Sequence, residues 1–271
     1  MRIITLIENL VNSPKLVAEH GFSLYIETAN RKILFDTGQS ALFLQNAHTL
    51  KINIEEVDSL ILSHGHYDHT GGLYPFLEIN SKAKVYAKKD IFTPKYHGHN
   101  RFIGTLKNET LLKDRLVYVD DITEIDENVF IMPNIPIFNT VDTHSHGLNV
   151  KVNNEFVPDE FNDELFLVIK QKAKINILTA CSHRGITNIC TTATDHFKLP
   201  TGLVLGGFHM KECSIEQYVE ITHYFRMLQP ESIGSCHCTG IDKFADMRSE
   251  CDTHIFYNYT GKVIELPLRI D

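Results

Sequence analysis

Residues 60–72 read L-I-L-S-H-G-H-Y-D-H-T-G-G. The first three residues form a short apolar run of the kind that makes a buried strand. Four side chains of metal-binding type follow within six residues, namely His64, His66, Asp68 and His69. Neutral imidazole and carboxylate are ligands that zinc, iron and manganese accept. The stretch therefore predicts a metal site directly behind a buried strand.

Alternation along an extended segment would place His64 and His66 on one face of the chain. These two imidazoles can then hold one ion, whereas Asp68 and His69 turn away and can serve a second ion. The alternative is a solvated, histidine-rich loop. Metal binding is the better interpretation because such a cluster behind an apolar strand is costly without a ligand. The 15 histidines of the chain, against no tryptophan, support it.

Composition and charge limit the classes of partner. The chain has 271 residues, of which 43% are hydrophobic and 22% charged, as in an ordinary globular protein. A net charge of −8 argues against nucleic acid as a partner. No apolar run approaches the ~18 residues of a membrane span, and a signal-peptide pattern is lacking. The six cysteines form no C-x-x-C pair. We therefore expect reduced thiols, a cytoplasmic location and no membrane partner, and the oligomeric state stays open.

The hydrophobic pattern predicts an α/β protein that begins β-β-β-α-β. The first three predicted strands are Arg2–Ile7, Ser23–Glu27 and Lys32–Phe35. A helix over residues 40–50 leads to the strand before the metal loop. In the second half, residues 137–139 read as a strand. Residues 214–229 read as a helix in which Ser214 is the N-cap and Gln217 completes a capping box.

Two segments have less regular patterns. Between residues 88 and 115 the periodicity fails, which indicates an insertion after the metal loop. This insertion is either a solvated surface segment or a lid whose cations, Lys95 and Arg101, bind the substrate. A second H-x-H pair, His144 and His146, follows Asp142, but no apolar strand runs into it. We interpret that pair as part of a surface loop.

Five motifs together carry a family resemblance. The H-G-H-Y-D-H of residues 64–69 resembles the H-x-H-x-D-H signature of the metallo-β-lactamase superfamily, and I-L-F-D-T-G at 33–38 resembles its strand-end acidic motif. With C-S-H-R-G at 181–185, G-G-F-H at 206–209 and H-C-T-G at 237–240, the chain is similar to one branch. That branch includes archaeal dihydropteroate-synthase-like proteins of methanopterin synthesis and bacterial members of unassigned substrate. The resemblance implies a single domain over residues 1–271 with an αββα sandwich.

The resemblance also implies further metal ligands. Cys181 follows a predicted strand where related proteins place an Asp or Cys that contacts the second metal, and His237 stands where the last ligand of the superfamily does. The usual third histidine, in a G-H-x-x-G context, is missing. His183 can replace it, and so can Glu164 or Asp159 from the acidic stretch of residues 159–164. We favour His183, whereas a carboxylate would favour manganese or iron over zinc.

Other residues are expected to act beside the metals. Asp36 would accept a hydrogen bond from a metal-bound histidine and orient it. Arg184 would clamp an anionic substrate, because guanidinium binds carboxylate or phosphate at two points. His209 binds metal, donates a proton or only caps the pocket, and Asp68 is the expected proton acceptor.

The resulting expectation is a metal-dependent hydrolase. Two divalent ions, zinc in the first place with manganese or iron as alternatives, would lie about 3.5–4 Å apart and supply a bound hydroxide near neutral pH. The substrate would be a small anionic molecule with an ester, phosphodiester or lactone bond. The alternatives are a synthase that joins a pterin pyrophosphate to an arylamine and a metal-stabilised sensing protein.

Overall fold

The structure, a computed structural model, describes residues 1–267. In that range the strands β1 to β18 are Arg2–Ile7, Ser23–Glu27, Lys32–Phe35, Ser59–Ile61, Lys84–Ala87, Lys95–His97, Arg101–Phe102, Leu116–Tyr118, Thr123–Asp126, Val129–Met132, Leu148–Val152, Glu155–Pro158, Phe166–Gln171, Lys174–Leu178, Thr201–Gly206, Ser232–Ser235, His254–Tyr257 and Val263–Glu265. The α-helices α1 to α7 are Leu42–Thr49, Tyr67–Thr70, Leu73–Ile79, Glu109–Leu112, Ile186–Phe197, Ile215–Leu228 and Ile241–Glu250. Short 3-10 helices cover Ile54–Glu56, Lys89–Phe92 and His237–Thr239.

The chain forms two compact units. The first unit comprises Met1–Asp120, Ser145–Asp163 and residues 259–267. The second unit comprises Asp121–His144 and Glu164–Asn258. The sequence-based prediction of one domain over residues 1–271 stays a prediction.

A seven-stranded mixed sheet forms the centre of the first unit. Its strand order is β18-β1-β2-β3-β4-β5-β8, and the four strands from β3 to β8 run parallel. Parallel strands end at the same edge of a sheet, so Asp36 after β3 and His64 after β4 are brought together. Phe43 and Ala47 of α1 share a buried apolar cluster with Leu34 and Leu60 of the sheet.

A small second sheet of the first unit includes part of the segment predicted as an insertion. Its order is β12-β11-β6-β7, and all its pairings are antiparallel. The region between residues 88 and 115 therefore contains two short strands and helix α4 where the sequence showed no periodicity. Its function as a lid stays a prediction.

The second unit has its own seven-stranded sheet, in the order β17-β16-β15-β14-β13-β10-β9. The strands from β14 to β17 run parallel, so their carboxyl ends lie along one edge. Ile186 and Ile189 of α5, and Ile221 and Phe225 of α6, pack in the apolar cluster beside this sheet. Within residues 1–267, no helix has the length and apolar character needed to cross a lipid bilayer.

Several of the secondary-structure predictions are confirmed. Strands β1, β2 and β3 have the predicted bounds, and α6 begins with the predicted capping box of Ser214 and Gln217. The strand predicted over residues 137–139 is wrong. The amide groups of Phe138 and Asn139 donate instead to the side-chain oxygen of Asn188, which takes the place of a neighbouring strand.

Candidate functional site

The first unit gathers the histidines of the metal loop at the end of β4. His64 and His69 are fully buried, and His66 nearly so. The His64 ring centroid lies 4.7 Å from that of His66 and 4.3 Å from that of His69. His66 precedes the short helix α2, which carries Asp68 and His69. One strand end and one helical turn thus bring three imidazoles and a carboxylate together.

Asp36 fixes the protonation of two of these rings. Its Oδ2 accepts a hydrogen bond from His69 Nδ1 at 2.7 Å and one from the Ser63 hydroxyl at 2.6 Å. Because that hydroxyl donates to Asp36, its oxygen accepts from His64 Nδ1 at 2.9 Å. Both Nδ1 atoms therefore carry the proton, and the Nε2 atoms carry the lone pairs that a metal requires. Asp36 thus makes the hydrogen bonds that the orientation of metal-binding histidines requires.

Asp68 lies beside the same imidazoles. Its Oδ2 is 3.7 Å from His69 Nε2 and 3.1 Å from Nε2 of His20, whose side chain is 55% exposed. The carboxylate can therefore serve as a metal ligand together with His69 or accept a proton near the solvent side. Its role stays a prediction.

The second unit gathers a separate cluster at the carboxyl ends of three adjacent parallel strands. Cys181 follows β14, His209 follows β15, and His237 and Cys238 follow β16. The ligand atoms of Cys181, His237 and Cys238 all lie within 4.8 Å of one another, and so do those of Cys181, His183 and His209. Thiolates and imidazoles at this spacing form a donor set suited to zinc.

Cys238 is a candidate ligand that sequence reasoning missed, although it directly follows His237. A side chain at Gly207 would place Cβ 2.5 Å from Cys238 Sγ, so glycine makes room for the sulfur. The amide of His209 donates to that sulfur at 3.3 Å. Burial raises the pKa of the Cys238 thiol, but hydrogen bonds with Cys181 and His209 outweigh burial and hold that pKa well below its usual value.

Cobalt substitution would show whether Cys238 binds metal. Thiolate ligands give cobalt a charge-transfer absorption in the near ultraviolet, and we expect Cys238→Ser and Cys181→Ser each to reduce it strongly. Cys251→Ser is the control, because this partly exposed cysteine ends α7 and belongs to neither cluster of ligand atoms. An unchanged spectrum in Cys238→Ser would rule out this ligand.

The three candidates for the missing third histidine differ in their contacts. The two oxygens of Glu164 accept from the backbone amides of His183 and Arg184, each at 2.7 Å. Asp159 pairs with Lys95 at 2.7 Å. His183 Nδ1 donates to the carbonyl of His144 at 3.0 Å, which leaves the lone pair on Nε2. These contacts favour His183 as the metal ligand.

The interpretation of residues 142–146 as a surface loop is wrong for two of its side chains. Asp142 is fully buried and His144 nearly so, whereas His146 is exposed. Asp142 accepts from the amide of Thr187 at 2.7 Å, and the amide of His144 donates to the carbonyl of His183 at 2.8 Å. The two residues thus hold the loop that carries His183. Their partners are far away in sequence, so spacing alone could not show this.

His209 lies among the imidazoles of the second unit. Its backbone has a φ of 51°. Its ring centroid is 4.4 Å from that of His183 and 5.1 Å from that of His144. Since its ligand atom also lies close to Cys181, the geometry suits both metal binding and proton donation.

The three predicted substrate-binding cations are placed differently. Lys95 is 2% exposed and paired with Asp159 and Asp163, so its position does not match that of a cation on an exposed lid. Burial disfavours its charge, but the two carboxylates outweigh burial and raise the pKa of Lys95 above its usual value. Arg101 is exposed and lies 3.2 Å from the Tyr67 hydroxyl. Arg184 is half-buried and donates to the carbonyl of Ile135 at 2.9 Å. Substrate binding by the two arginines stays a prediction.

Known proteins with similar sequences and structures cover nearly the whole chain. The family model of the metallo-beta-lactamase superfamily matches residues 16–155. An uncharacterised protein of Methanocaldococcus jannaschii is 34% identical over 254 residues, which cover 92% of this chain and 94% of the relative. A second relative from the same organism is the 7,8-dihydropterin-6-methyl-4-(beta-D-ribofuranosyl)-aminobenzene-5'-phosphate synthase. It is 30% identical over 285 residues, and the alignment covers 98% of this chain and 96% of the synthase. The crystal structure of Tm1679, a metal-dependent hydrolase of the beta-lactamase superfamily, matches with a TM-score of 0.86 at 33% identity, over 98% of this chain and 99% of that one.

Proposed function

The chain belongs to the metallo-beta-lactamase superfamily, and from that premise we propose that it is a metal-dependent hydrolase of a small anionic ester, phosphodiester or lactone. The observation that carries the proposal is the loop of His64, His66 and His69. Hydrogen bonds to Ser63 and Asp36 hold the protons on Nδ1 of two of these rings. A cluster of neutral imidazoles prepared in this way fits a divalent metal and has no evident use as a packing element.

The donor atoms indicate which metal fits. The loop offers imidazole nitrogens together with the carboxylate of Asp68, and the second unit offers Cys181, His183 and His237. We propose that each of these two donor sets holds a divalent ion. Mixed nitrogen, sulfur and oxygen donors favour zinc, whereas manganese would prefer a set richer in oxygen.

The residues of the chain have distinct tasks in such a reaction. A divalent metal held by these residues would supply Lewis-acid polarisation of a substrate oxygen and lower the pKa of a water molecule towards neutrality. Asp36 keeps the proton of His69 on Nδ1, and Asp68 accepts the proton that the attacking water loses. His20, 3.1 Å from Asp68, holds that carboxylate from the solvent side.

A synthase is the second candidate function. Its support is the relative of 30% identity, which is named a synthase of a dihydropterin-linked aminobenzene phosphate. If this chain is a synthase, we propose that it joins a pterin pyrophosphate to an arylamine, with pyrophosphate as the leaving group. A metal-stabilised sensing protein is a third candidate, and it would show metal binding without turnover.

Parallel assays separate these candidates. Zinc-loaded protein would be incubated with aryl phosphodiesters, aryl esters and lactones, and separately with a pterin pyrophosphate plus an arylamine. Hydrolysis that stops on chelation and in Asp68→Asn supports the proposal. Pyrophosphate release that requires the arylamine would replace it with the synthase. Metal binding without turnover on either set would favour sensing.

Paired variants test the ligand that replaces the missing histidine. We expect His183→Ala to lose about one metal ion per chain, because it removes a nitrogen donor. Glu164→Gln should keep more metal than His183→Ala, because it removes one acceptor for the backbone amides of His183 and Arg184 but no metal ligand. Metal per chain, measured by elemental analysis, checks both variants. Loss in Glu164→Gln alone would assign the ligand to the acidic stretch.

A further inference from the structure

A buried charged cluster lies in the first unit beside the metal loop. Lys95 of β6 pairs with Asp159 at 2.7 Å and with Asp163 at 2.9 Å, and the three residues are 2%, 3% and 1% exposed. We call these three residues the Lys95 cluster. Burying charges is expensive, and an apolar group of the same size would often stabilise a core equally well. Stability alone therefore does not explain why these three charged side chains are buried together.

The Lys95 cluster is joined to the backbone of the metal loop. Oδ2 of Asp163 accepts from the amide of Gly65 at 2.8 Å, and its Oδ1 faces Lys95. Gly65 stands between His64 and His66. A side chain at Gly65 would place Cβ 2.2 Å from the carbonyl of Ile91, so the loop is closely packed at this point. Lys95 fixes the Asp163 carboxylate, and that carboxylate fixes the loop.

Phe161 connects the same cluster to the two imidazoles. Its amide donates to Asp159 at 2.8 Å, and Lys95 Nζ lies 5.2 Å from its ring centroid. The ring centroid is 6.2 Å from that of His64 and 5.4 Å from that of His66, which it meets at an interplanar angle of 86°. The segment from Asp159 to Asp163 thus contacts the loop through two of its side chains, Asp163 at the Gly65 amide and Phe161 at the imidazoles.

We propose that the Lys95 cluster positions the metal loop. Lys95 and Asp159 hold Asp163 in place, and Asp163 sets the Gly65 amide and with it the spacing of His64 and His66. Both oxygens of the Asp163 carboxylate are needed as acceptors, which an amide side chain cannot supply. The inference rests on the proposed metal binding by the loop.

The test is the zinc affinity of Asp163→Asn and Asp163→Ala, measured by competition with a chromophoric chelator. Loss of a partner that orients metal ligands lowers affinity by about 10–100-fold, and we expect a loss in this range for both variants. Asp163→Asn has nearly the wild-type volume, so it carries the test if the alanine variant unfolds. The visible spectrum of the cobalt form should shift as well, because the loop imidazoles move.

Asn80→Ala is the matched control. Asn80 is buried in the same unit, and its amide donates to the carbonyls of Ile54 at 2.9 Å and Val57 at 2.8 Å, away from the loop. We expect it to lower the melting temperature of the metal-free protein without changing zinc affinity. Wild-type zinc affinity and an unchanged cobalt spectrum in Asp163→Asn would overturn this inference but leave the proposed function standing. A wild-type chain that binds no zinc would overturn it together with the proposed function.

Discussion

Asp68→Asn is expected to lower turnover by about a hundredfold or more while the fold survives. The substitution keeps the size of the side chain and its place on α2, but it removes the charge beside His69 Nε2 and the proton acceptor. The measurement is the rate on the best substrate found, together with circular dichroism and metal content.

Asp58→Asn provides the comparison for this variant. Asp58 belongs to the same unit but pairs with Lys82 at 2.8 Å and accepts from the amide of Lys32, away from the metal loop. We expect its turnover to stay near wild type. If Asp68→Asn also turns over at the wild-type rate, Asp68 is neither a required ligand nor the proton acceptor.

Asp36→Asn is expected to weaken zinc binding by about 10–100-fold. Asparagine tolerates the φ of 59° at this position, so the backbone should be retained. Its amide group, however, donates where Asp36 accepted from His69 and Ser63. His69 must then carry its proton on Nε2, the atom that a metal needs. Chelator competition measures the affinity.

Ser23→Ala is the control for Asp36→Asn. The Ser23 hydroxyl donates to the backbone carbonyl of Asp36 at 2.8 Å, so its loss removes a neighbouring hydrogen bond but leaves the carboxylate in place. We expect a cost of about 1 kcal/mol in the free energy of unfolding and no change in zinc affinity. Equal affinities in the two variants would contradict the orienting role of Asp36.

The fold could be predicted because its signals are local. A run of apolar residues, or the alternation of apolar and polar residues, shows within a few positions which side chains are buried. Strands β1 to β3 have the predicted bounds for this reason. The capping box of α6 is equally local. The metal-loop motif then indicated the family, and the metallo-beta-lactamase fold is confirmed.

The contacts of the candidate site could be predicted only in part. His64, His66, Asp68 and His69 lie within one short stretch, so their proximity follows from the chain itself. The partner of Gly65 is Asp163, which is 98 residues away, and no pattern in either segment indicates the pairing. The acidic stretch suggested an oxygen ligand, yet Asp159 and Asp163 bind Lys95 instead.

In the second unit, too, the sequence could not indicate residues whose contacts join distant parts of the chain. Asp142 and His144 follow no apolar strand, and they are buried because the loop at His183 folds against them. Cys238 stands beside His237 in the sequence, and no local pattern marks it as a ligand. It comes close to Cys181 only because β14, β15 and β16 end at one edge of the sheet.

The metal content of purified protein is the most direct measurement of metal binding by these residues. Cells would be grown with zinc, manganese and iron, and the protein analysed for each element. We expect about two transition-metal ions per chain, mainly zinc, as in two-metal hydrolytic sites, and fewer in a His64→Ala/His66→Ala double variant that remains folded. Protein that is folded but carries none of these metals, and takes up none on addition, would contradict the proposed function.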